Sequence, residues 1–317
     1  MPAYITRRVA QSLVILLGVT LLTFVLLRFI PGGPARGILG PRASAAQLAA
    51  FERANDLDKP VFQQYLLYLG HLLRGNFGYS YKLNQTVASV FAQDLPKSLV
   101  LVGLAYAVAL IVAIPLGIMQ AVRRNSLADY VTTGASFVAY SMPTFWLGIL
   151  LVVWFSSDLH LFPSEGPQGA SVTASFANPS GLVLPVATLT IVTVAQFSRF
   201  MRASAVENML QDYIRTARAK GLPDWQIVTR HLFRNSVLPI ITLVGLSLPG
   251  VLSGAIIVEA LFNYPGMGWL FWTATGAHDY PVLMGFTIVV AAATVIGNLL
   301  ADIAYAVADP RVRYQTS

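Results

Sequence analysis

Residues 98–122 read SLVLVGLAYAVALIVAIPLGIMQAV, an apolar run without a charged side chain. This run is longer than the ~20 apolar residues with which an α-helix crosses a hydrocarbon layer of ~30 Å. The whole chain shares its character, because 56% of the 317 residues are hydrophobic and only 11% are charged. Soluble proteins carry about a quarter charged residues. The composition therefore predicts an all-α, polytopic membrane protein.

Six apolar segments predict membrane-spanning helices: residues 9–30, 98–122, 131–155, 182–198, 237–261 and 281–307. The first is longer than the ~7–15-residue core of a secretory signal, so we interpret it as an uncleaved anchor. The fourth is the weakest, because Pro185 and several threonines interrupt it. We retain it because the charge distribution between the segments requires an even number of crossings.

Lysine and arginine are concentrated on one side of this predicted topology. Thirteen lie in the connections that it places in the cytoplasm: Arg7, Arg8, Arg123, Arg124, Arg311, Arg313 and seven within residues 199–236. The short connections 156–181 and 262–280 contain none, and residues 31–97 form a loop long enough to be exempt from the positive-inside rule. Both termini are therefore expected in the cytoplasm. The net charge of +7 is explained without nucleic acid, since the basic residues form no single patch.

Residues 31–97 are too long for an unstructured connection and predict a small extracytoplasmic helical subdomain between helices 1 and 2. Ser44 and Gln47 have the spacing of a capping box that opens a helix through Asn55. Pro60 and Gly75 bracket a second helical run. Two interpretations of this subdomain stay open, a lid over the helix ends and a docking surface for an external partner.

The sequence lacks the motifs of enzyme chemistry. It has no cysteine, no H-E-x-x-H and no Gly-Lys dipeptide from which a nucleotide-binding P-loop is built. Any ATP-driven step therefore depends on another subunit, and the scattered histidines predict no metal site. An intramembrane serine hydrolase is disfavoured, because Pro249 breaks the G-x-S-x-G pattern around Ser247 and no span contains a histidine.

Charged residues within the spans are few. Arg28, Glu259 and Asp302 all lie near a span end, where snorkelling lowers the cost of the charge, so they predict no strong proton relay. A gradient-driven carrier loses support for this reason. Four prolines are expected to kink or break their helices: Pro115, Pro143, Pro185 and Pro249.

The connection 199–236 is patterned as two helices joined by a glycine turn. One apolar stripe predicts a single helix before the turn: Ala203, Val206, Met209, Leu210, Tyr213, Ile214 and Ala217. Gly221 is typical of the position just past a helix end, and Pro223 with Asp224 suits the first turn of the next helix. The residues alone leave two interpretations open, docking of a protein partner and contact of an amphipathic helix pair with anionic lipid.

Residues 212–221, DYIRTARAKG, resemble the cytoplasmic signature loop of ABC importer permeases of the dipeptide/oligopeptide/nickel subclass. The resemblance covers the whole chain and includes further motifs: Arg230-His231, Asn235, Leu238-Pro239, Tyr4-Ile5 with Arg7-Arg8, Pro31-Gly32-Gly33-Pro34, Leu57-Asp58-Lys59-Pro60, Gly75-Asn76-Phe77-Gly78-Tyr79-Ser80, Tyr264-Pro265-Gly266-Met267-Gly268 and Asp309-Pro310-Arg311-Val312-Arg313. The general permease motif begins Glu-Ala-Ala where this chain has Arg215-Thr216-Ala217, as is usual for the subclass. An acidic residue is common where Gly33 and Asn76 stand, and this departure weakens expectations about the subdomain.

The resemblance implies the type I ABC importer permease fold, with residues 221–235 as a coupling helix seated in a groove of a cytoplasmic ATPase. The residues implied for this contact are Arg215, Thr216, Ala217, Gly221, Leu222, Pro223, Trp225, Arg230, His231, Arg234 and Asn235. The implied partners are a second homologous permease in a heterodimer, two ATPases that bind ATP and Mg²⁺, an extracytoplasmic solute-binding protein and membrane lipid. For this chain the resemblance implies no cofactor, no metal site and no enzymatic activity.

We therefore expect a permease subunit for short peptides in the cytoplasmic membrane of a prokaryote. The chain divides into residues 1–30 (N-terminus and helix 1), 31–97 (subdomain), 98–198 (helices 2–4), 199–236 (coupling loop) and 237–317 (helices 5–6 and tail). Nickel, glutathione, haem and sugars remain alternative cargoes within the subclass. A self-sufficient secondary transporter or channel is the alternative from another class, and the residues that line the pathway stay open.

Overall fold

The computed structural model describes residues 2–29, 33–169, 171–253 and 255–308. These residues are mainly helical and include one short hairpin. The predicted motif at residues 309–313, the tail arginines Arg311 and Arg313 within it, and Pro31-Gly32 lie outside the described residues.

The N-terminal part consists of one long helix and a small subdomain. Helix α1, Pro2–Arg28, corresponds to the first predicted span. The subdomain contains three helices and a hairpin: α2 (Gly33–Leu39), α3 (Ala45–Ala54), α4 (Val61–Leu73), β1 (Tyr79–Ser80) and β2 (Gln85–Thr86). The two helices expected from the sequence, α3 and α4, are confirmed, whereas α2 and the hairpin were not foreseen. The capping box is also confirmed, because the Gln47 N–H donates to Ser44 Oγ at 3.2 Å and the Ser44 N–H donates to Gln47 Oε1 at 2.8 Å.

Helix α4 holds the subdomain against α1. The Tyr65 ring lies 5.2 Å from the ring of Phe24, measured between centroids, and its hydroxyl oxygen is 3.1 Å from Thr20 Oγ1. The outward-facing apolar side chains of α1, such as Leu22 and Leu26, are exposed, as expected of a helix that faces lipid.

Helices α5 (Val87–Val122) and α9 (Ser180–Met209) form the most extensive helix pair among the described residues. Both are longer than predicted, since α5 begins at Val87 instead of Ser98 and α9 continues beyond residue 198. Gly117 permits their close approach, because a Cβ there would lie 2.6 Å from Met201 Cβ. Both helices continue through Pro115 and Pro185, so of the expected kink or break at these residues the break does not occur.

The segment predicted as one span at residues 131–155 is two helices. Helix α6, Leu127–Ser141, meets α7, Thr144–Leu151, and α7 continues as π-helical turns through Asp158. The two parts are bent by 105°, so the break expected at Pro143 is confirmed. Pro143 explains the break, because a residue before proline avoids the helical conformation and Met142 is extended. The short helix α8, Val172–Ala177, follows.

The C-terminal part follows the coupling loop. Residues 237–261, predicted as one span, form α13 (Leu238–Ser253) and α14 (Ile256–Leu261), so this segment is also divided. Helix α15 (Met267–Ala277) then precedes α16 (Tyr280–Ala308), which corresponds to the last predicted span. Apolar side chains of α5, α15 and α16 form a core at their junction, including Phe91, Leu270 and Phe286.

Three described helices are long and apolar enough to cross a membrane: Val87–Val122, Ser180–Met209 and Tyr280–Leu299. The bent pair α6–α7 adds a fourth if it counts as one span. Shorter apolar helices at Ala10–Leu26 and Leu238–Ser247 fall within the first and fifth predicted spans. The multi-pass membrane character is therefore supported, while the count of six crossings stays a prediction.

Candidate functional site

The coupling loop begins where α9 ends. The chain leaves the helix at Leu210, Gln211 is extended, and α10 runs over Asp212–Ala219. The Tyr213 hydroxyl donates to Asn208 Oδ1 at 2.7 Å and so ties α10 to the end of α9 across the break. Burial raises the pKa of Tyr213 above its ordinary value.

Gly221 forms the turn after α10. Its φ of +74° lies in the left-handed region that glycine adopts at little cost. The Gly221 N–H donates to the Arg218 carbonyl at 2.9 Å, and the Leu222 N–H donates to the Ala217 carbonyl at 3.3 Å. These two bonds define a Schellman motif, so the predicted C-terminal glycine is confirmed with its full hydrogen-bond pattern.

The second helix of the loop begins after Pro223. It comprises α11 (Asp224–Gln226), π-helical turns at Ile227–Leu232 and α12 (Phe233–Ser236). The start predicted from Pro223 and Asp224 is confirmed. We refer to residues 224–236 as the lever helix. Thr229 Oγ1 donates to the Trp225 carbonyl at 2.7 Å, and Asn235 Nδ2 donates to the His231 carbonyl at 2.9 Å.

A hydrophobic cluster attaches the lever helix to the bundle. Its buried members come from α5, α9, α10 and the lever helix: Ala121, Ala205, Ile214, Ala217, Ile227 and Leu232. Leu222 packs against the cluster from the turn itself. The lever helix and α10 therefore share one closely packed core with α5 and α9.

The opposite side of the lever helix is exposed. Trp225 has 62% of its surface accessible, and Arg230 and Arg234 are also exposed. The structure brings a large aromatic group and two cations onto one short helix without covering them, within the part of the chain that it describes. Aromatic and arginine side chains are the residues most enriched at the energetic centres of protein interfaces.

The other residues that the sequence predicted for contact with an ATPase differ in how far they are buried. Arg215, Thr216, Gly221 and Pro223 are exposed, while Leu222, His231 and Asn235 are half-buried. Ala217 is 4% exposed and belongs to the cluster, so its side chain contacts the bundle and not a partner surface. The alanine of the motif therefore serves to seat the lever.

The single continuous helix predicted from the apolar stripe was wrong. The break at Leu210 and Gln211 resets the rotation of the chain, so Ala203 and Leu210 are exposed although the pattern placed them with Ile214 and Ala217. The turn at Leu210 and Gln211 is so short that the apolar residues on either side keep a spacing of three and four. For this reason the sequence pattern does not reveal the break.

An ion pair above the lever was missed by the sequence reasoning. Arg202 of α9 donates from Nε to Asp129 Oδ1 at 2.9 Å and from Nη2 to Oδ2 at 2.8 Å. This fork-shaped contact joins the start of α6 to the cytoplasmic end of α9. Arg202 and Asp129 are far apart in sequence, and no motif or spacing in the sequence indicated that they form a pair.

The hydrogen bonds around the carboxylate of Glu259 are the second feature that the sequence reasoning missed. Its Oε1 accepts from Ser98 Oγ at 2.8 Å and from the Ala255 N–H at 3.1 Å. Its Oε2 accepts from the N–H groups of Gly268 and Trp269 at 2.7 and 3.2 Å. Glu259 is fully buried, so the expectation that it snorkels to the surface was wrong. Four donors replace water around the charge instead.

The glycines of the Tyr264–Gly268 motif make this arrangement possible. A Cβ on Gly266 would lie 2.4 Å from Glu259 Oε2, and one on Gly268 would lie 2.5 Å from the Ile256 Cα. Only glycine therefore lets the start of α15 approach the carboxylate and α14. The co-occurrence of an acidic residue in a span with a following Pro-Gly-x-Gly was the available sequence signal.

Within the described ranges, no group of three or more histidine or acidic residues has an arrangement that could hold a metal ion. The site presents an exposed aromatic side chain and two exposed arginines on a helix that is packed against the bundle.

Two family models together match nearly the whole chain. The model described as "Binding-protein-dependent transport system inner membrane component" matches residues 113–314. A model for the N-terminal region of membrane components of the same transport systems matches residues 1–102.

Curated proteins from several bacteria are similar along their full length. The chain is 38% identical over 316 residues to the oligopeptide transport system permease protein AppB of Bacillus subtilis, covering 99% of this chain and 100% of that protein. It is 36% identical over 314 residues to the dipeptide transport system permease protein DppB of Lactococcus lactis, with 99% and 100% covered. The corresponding values for DppB of Escherichia coli are 34% over 335 residues, with 98% and 99% covered.

Proposed function

The chain belongs to the family of binding-protein-dependent transport system inner membrane components, and from this membership we propose that it is the transmembrane permease subunit of an ATP-driven importer of short peptides. Three relatives that align along their full lengths are named for oligopeptide or dipeptide transport, which supports peptides over the other cargoes of the subclass. The permease itself performs no hydrolysis in this proposal.

The exposed face of the lever helix is the observation that carries the mechanism. We propose that this face, with Trp225 at its start and Arg230 and Arg234 beyond it, seats in a groove of a cytoplasmic ATPase. Two ATPases bind ATP and Mg²⁺ and drive the lever, and a second homologous permease completes the pathway. An extracytoplasmic solute-binding protein delivers the peptide.

Movement of the ATPases reaches the membrane through the cluster around Ile214 and Leu232. A partner shifts a conformational equilibrium only by the difference between its contacts in the two states, so the lever must stay seated in both. The buried underside of the lever, packed on α5, α9 and α10, supports its action as one rigid body with the cytoplasmic ends of the bundle. The bundle then alternates between outward-open and inward-open states.

The proposed topology has six crossings, both termini in the cytoplasm and the subdomain outside, in the cytoplasmic membrane of a prokaryote. The asymmetry of lysine and arginine supports it. The absence of cysteine from the sequence makes the test direct, since single cysteines are labelled without background. A membrane-impermeant maleimide is expected to label Lys82→Cys from outside and Lys220→Cys only after the membrane is opened; the reverse pattern contradicts the topology.

Co-purification with the ATPases tests the role of the lever. In cells that express the complete transporter, Trp225→Ala is expected to reduce the ATPases recovered with the tagged permease about tenfold or more, as loss of an aromatic anchor does at an interface. The matched control is Trp272→Ala, because Trp272 is 64% exposed on α15 and outside the lever. Equal recovery from the two variants and the wild type contradicts the proposed docking face.

Transport by the purified complex tests the function itself. The wild-type permeases with their ATPases, in vesicles supplied with binding protein, are expected to accumulate a short peptide only when ATP is present on the ATPase side. Accumulation by this chain alone without nucleotide contradicts the proposal and supports a self-sufficient carrier.

A further inference from the structure

Arg199 of α9 is held between two aromatic rings of α6. Its guanidinium carbon lies 4.5 Å from the ring centroid of Phe137 and 4.9 Å from that of Tyr140. Phe137 and Tyr140 are three residues apart, so both rings lie on the same side of α6. Contacts of this kind stabilise a cation over the face of an aromatic ring and orient the plane of the guanidinium.

The edge of this guanidinium has no partner in the described part of the chain. Neither a hydrogen bond nor an ion pair of the Arg199 side chain is present there, whereas Arg202, three residues further along, has two hydrogen bonds to Asp129. Arginine carries five N–H donors in a planar fork that matches a carboxylate. The aromatic contacts therefore hold a donor fork that is partly exposed and accessible to a ligand.

Arg199 lines a cavity of about 280 Å³. The other lining residues are Tyr140, Gln196, Phe200 and Ala203. Gln196 is exposed three residues before Arg199 on the same helix, and its amide supplies one acceptor and two further donors. The cavity thus combines a cationic fork, an amide and aromatic walls.

Gln196 adds a second polar group beside Arg199. It lies one helical turn earlier, within the predicted span 182–198, whereas an arginine alone near a span end is a common partner of lipid headgroups. An amide beside a guanidinium is complementary to the end of a peptide chain, where a carboxylate follows an amide bond.

We propose that Arg199 and Gln196 form a site for the C-terminal carboxylate and last amide of a peptide passing through the permease. The inference rests on the proposed function, and it adds a residue-level subsite on the face shared by α6 and α9. Phe137 and Tyr140 are positioning residues in this site, since they act by orienting Arg199. The partial exposure of Arg199 keeps the contact weak enough for release.

The test compares two peptides in two proteins. Complete transporter complexes with wild-type or Arg199→Gln permease are reconstituted with their binding protein, and uptake of one tripeptide is measured as the free acid and as the C-terminal amide. We expect Arg199→Gln to lower free-acid uptake about tenfold relative to amide uptake, because only the free acid loses a charge-assisted bond. Any preference of the binding protein cancels, since it is the same for both permeases.

Control variants separate the site from general charge effects. Arg124→Gln removes an exposed arginine of the cytoplasmic loop and is expected to leave the ratio of the two uptake rates unchanged. Arg199→Lys is expected to be intermediate, because lysine keeps the charge without the planar fork. Phe137→Leu is expected to shift the ratio in the same direction as Arg199→Gln by a smaller factor.

Each contrary outcome has a distinct meaning. If the wild-type complex takes up neither peptide, the proposed function is overturned and this inference with it. If the wild type transports and Arg199→Gln reduces both peptides equally, the inference alone is overturned. An equal loss that is seen in phosphatidylcholine vesicles mixed with phosphatidylglycerol, but not in phosphatidylcholine alone, assigns Arg199 to anionic lipid and likewise overturns the peptide site.

Discussion

Arg202 and Asp129 bind each other through two hydrogen bonds, from Nε to Oδ1 at 2.9 Å and from Nη2 to Oδ2 at 2.8 Å. Asp129 also receives the Asn125 N–H at 3.1 Å, so the turn before α6 and the cytoplasmic end of α9 meet at one carboxylate. The side chain of Asp129 is 3% exposed, and that of Arg202 is 29% exposed. This pair fixes α6 to α9 just above the lever.

Replacing the carboxylate is expected to loosen this junction. Asp129→Asn retains the shape but loses the charge, and we expect it to lower the free energy of unfolding by about 2 kcal/mol, as for a hydrogen bond to a charged partner. Thermal unfolding of the purified permease in detergent measures the loss. Asp56→Asn is the control, because its ion pair with Lys59 is exposed and contributes little. Equal midpoints for the two variants would show that the Arg202 pair is not structural.

The Gly221 turn is expected to tolerate residues by their backbone preference and not by their size. A Cβ at this position meets no heavy atom within 4 Å, so the cost of a substitution is the left-handed φ of +74°. This conformation costs about 1–2 kcal/mol for most residues and less for asparagine. In the reconstituted complex, Gly221→Val is expected to abolish substrate-stimulated ATPase activity, with Gly221→Asn retaining most of it. Wild-type stimulation in Gly221→Val refutes this role.

The underside of the lever depends on Ile214, which is 1% exposed at the centre of the cluster. Ile214→Ala leaves a cavity that is expected to cost about 2–5 kcal/mol and to release α10 from the bundle. Trypsin is then expected to cut faster after Arg215, Arg218 and Lys220. Leu210→Ala serves as the control, since Leu210 is 64% exposed, and accelerated cutting in both variants would argue against a specific anchor.

Two glycines of α15 are expected to respond oppositely to alanine. Gly268→Ala places a Cβ 2.5 Å from the backbone of Ile256, so α14 and α15 must separate and the thermal midpoint must fall. Gly276 has no neighbour within 4 Å of its Cβ, and Gly276→Ala is expected to leave stability unchanged or raise it by up to about 1 kcal/mol. A fall in both midpoints would mean that the close approach of α15 to α14 is not what requires glycine.

Replacing Glu259 with glutamine, which has nearly the same shape, is expected to destabilise the protein. Four donors converge on the two oxygens of Glu259, so Glu259→Gln turns an NH₂ group toward hydrogen-bond donors. We expect a loss of about 2–3 kcal/mol, the cost of leaving charged-group partners unsatisfied. Ser98→Ala removes one donor and is expected to cost less. A neutral result for Glu259→Gln in thermal unfolding would show that the carboxylate is not held in its charged form.

The sequence by itself determined the membrane class, the family and the position of the coupling loop. Long apolar runs require helices in lipid, and Gly221 with Pro223 marks a turn through local backbone preferences. The motif at residues 212–221 identified the family because it is contiguous, so no contact between distant residues was needed to read it.

Only the tertiary structure decided how these helices are broken and joined. Pro143 predicted a break, but the size of the bend, 105°, and the change of helix rotation at Gln211 depend on which side of each helix packs against its neighbours. An all-apolar span does not encode that choice in its pattern. The pairing of Arg202 with Asp129, the donors around Glu259 and the aromatic contacts of Arg199 each join residues from different helices. Such contacts arise when the chain folds back on itself, and a sequence pattern does not indicate which distant residues then lie close together.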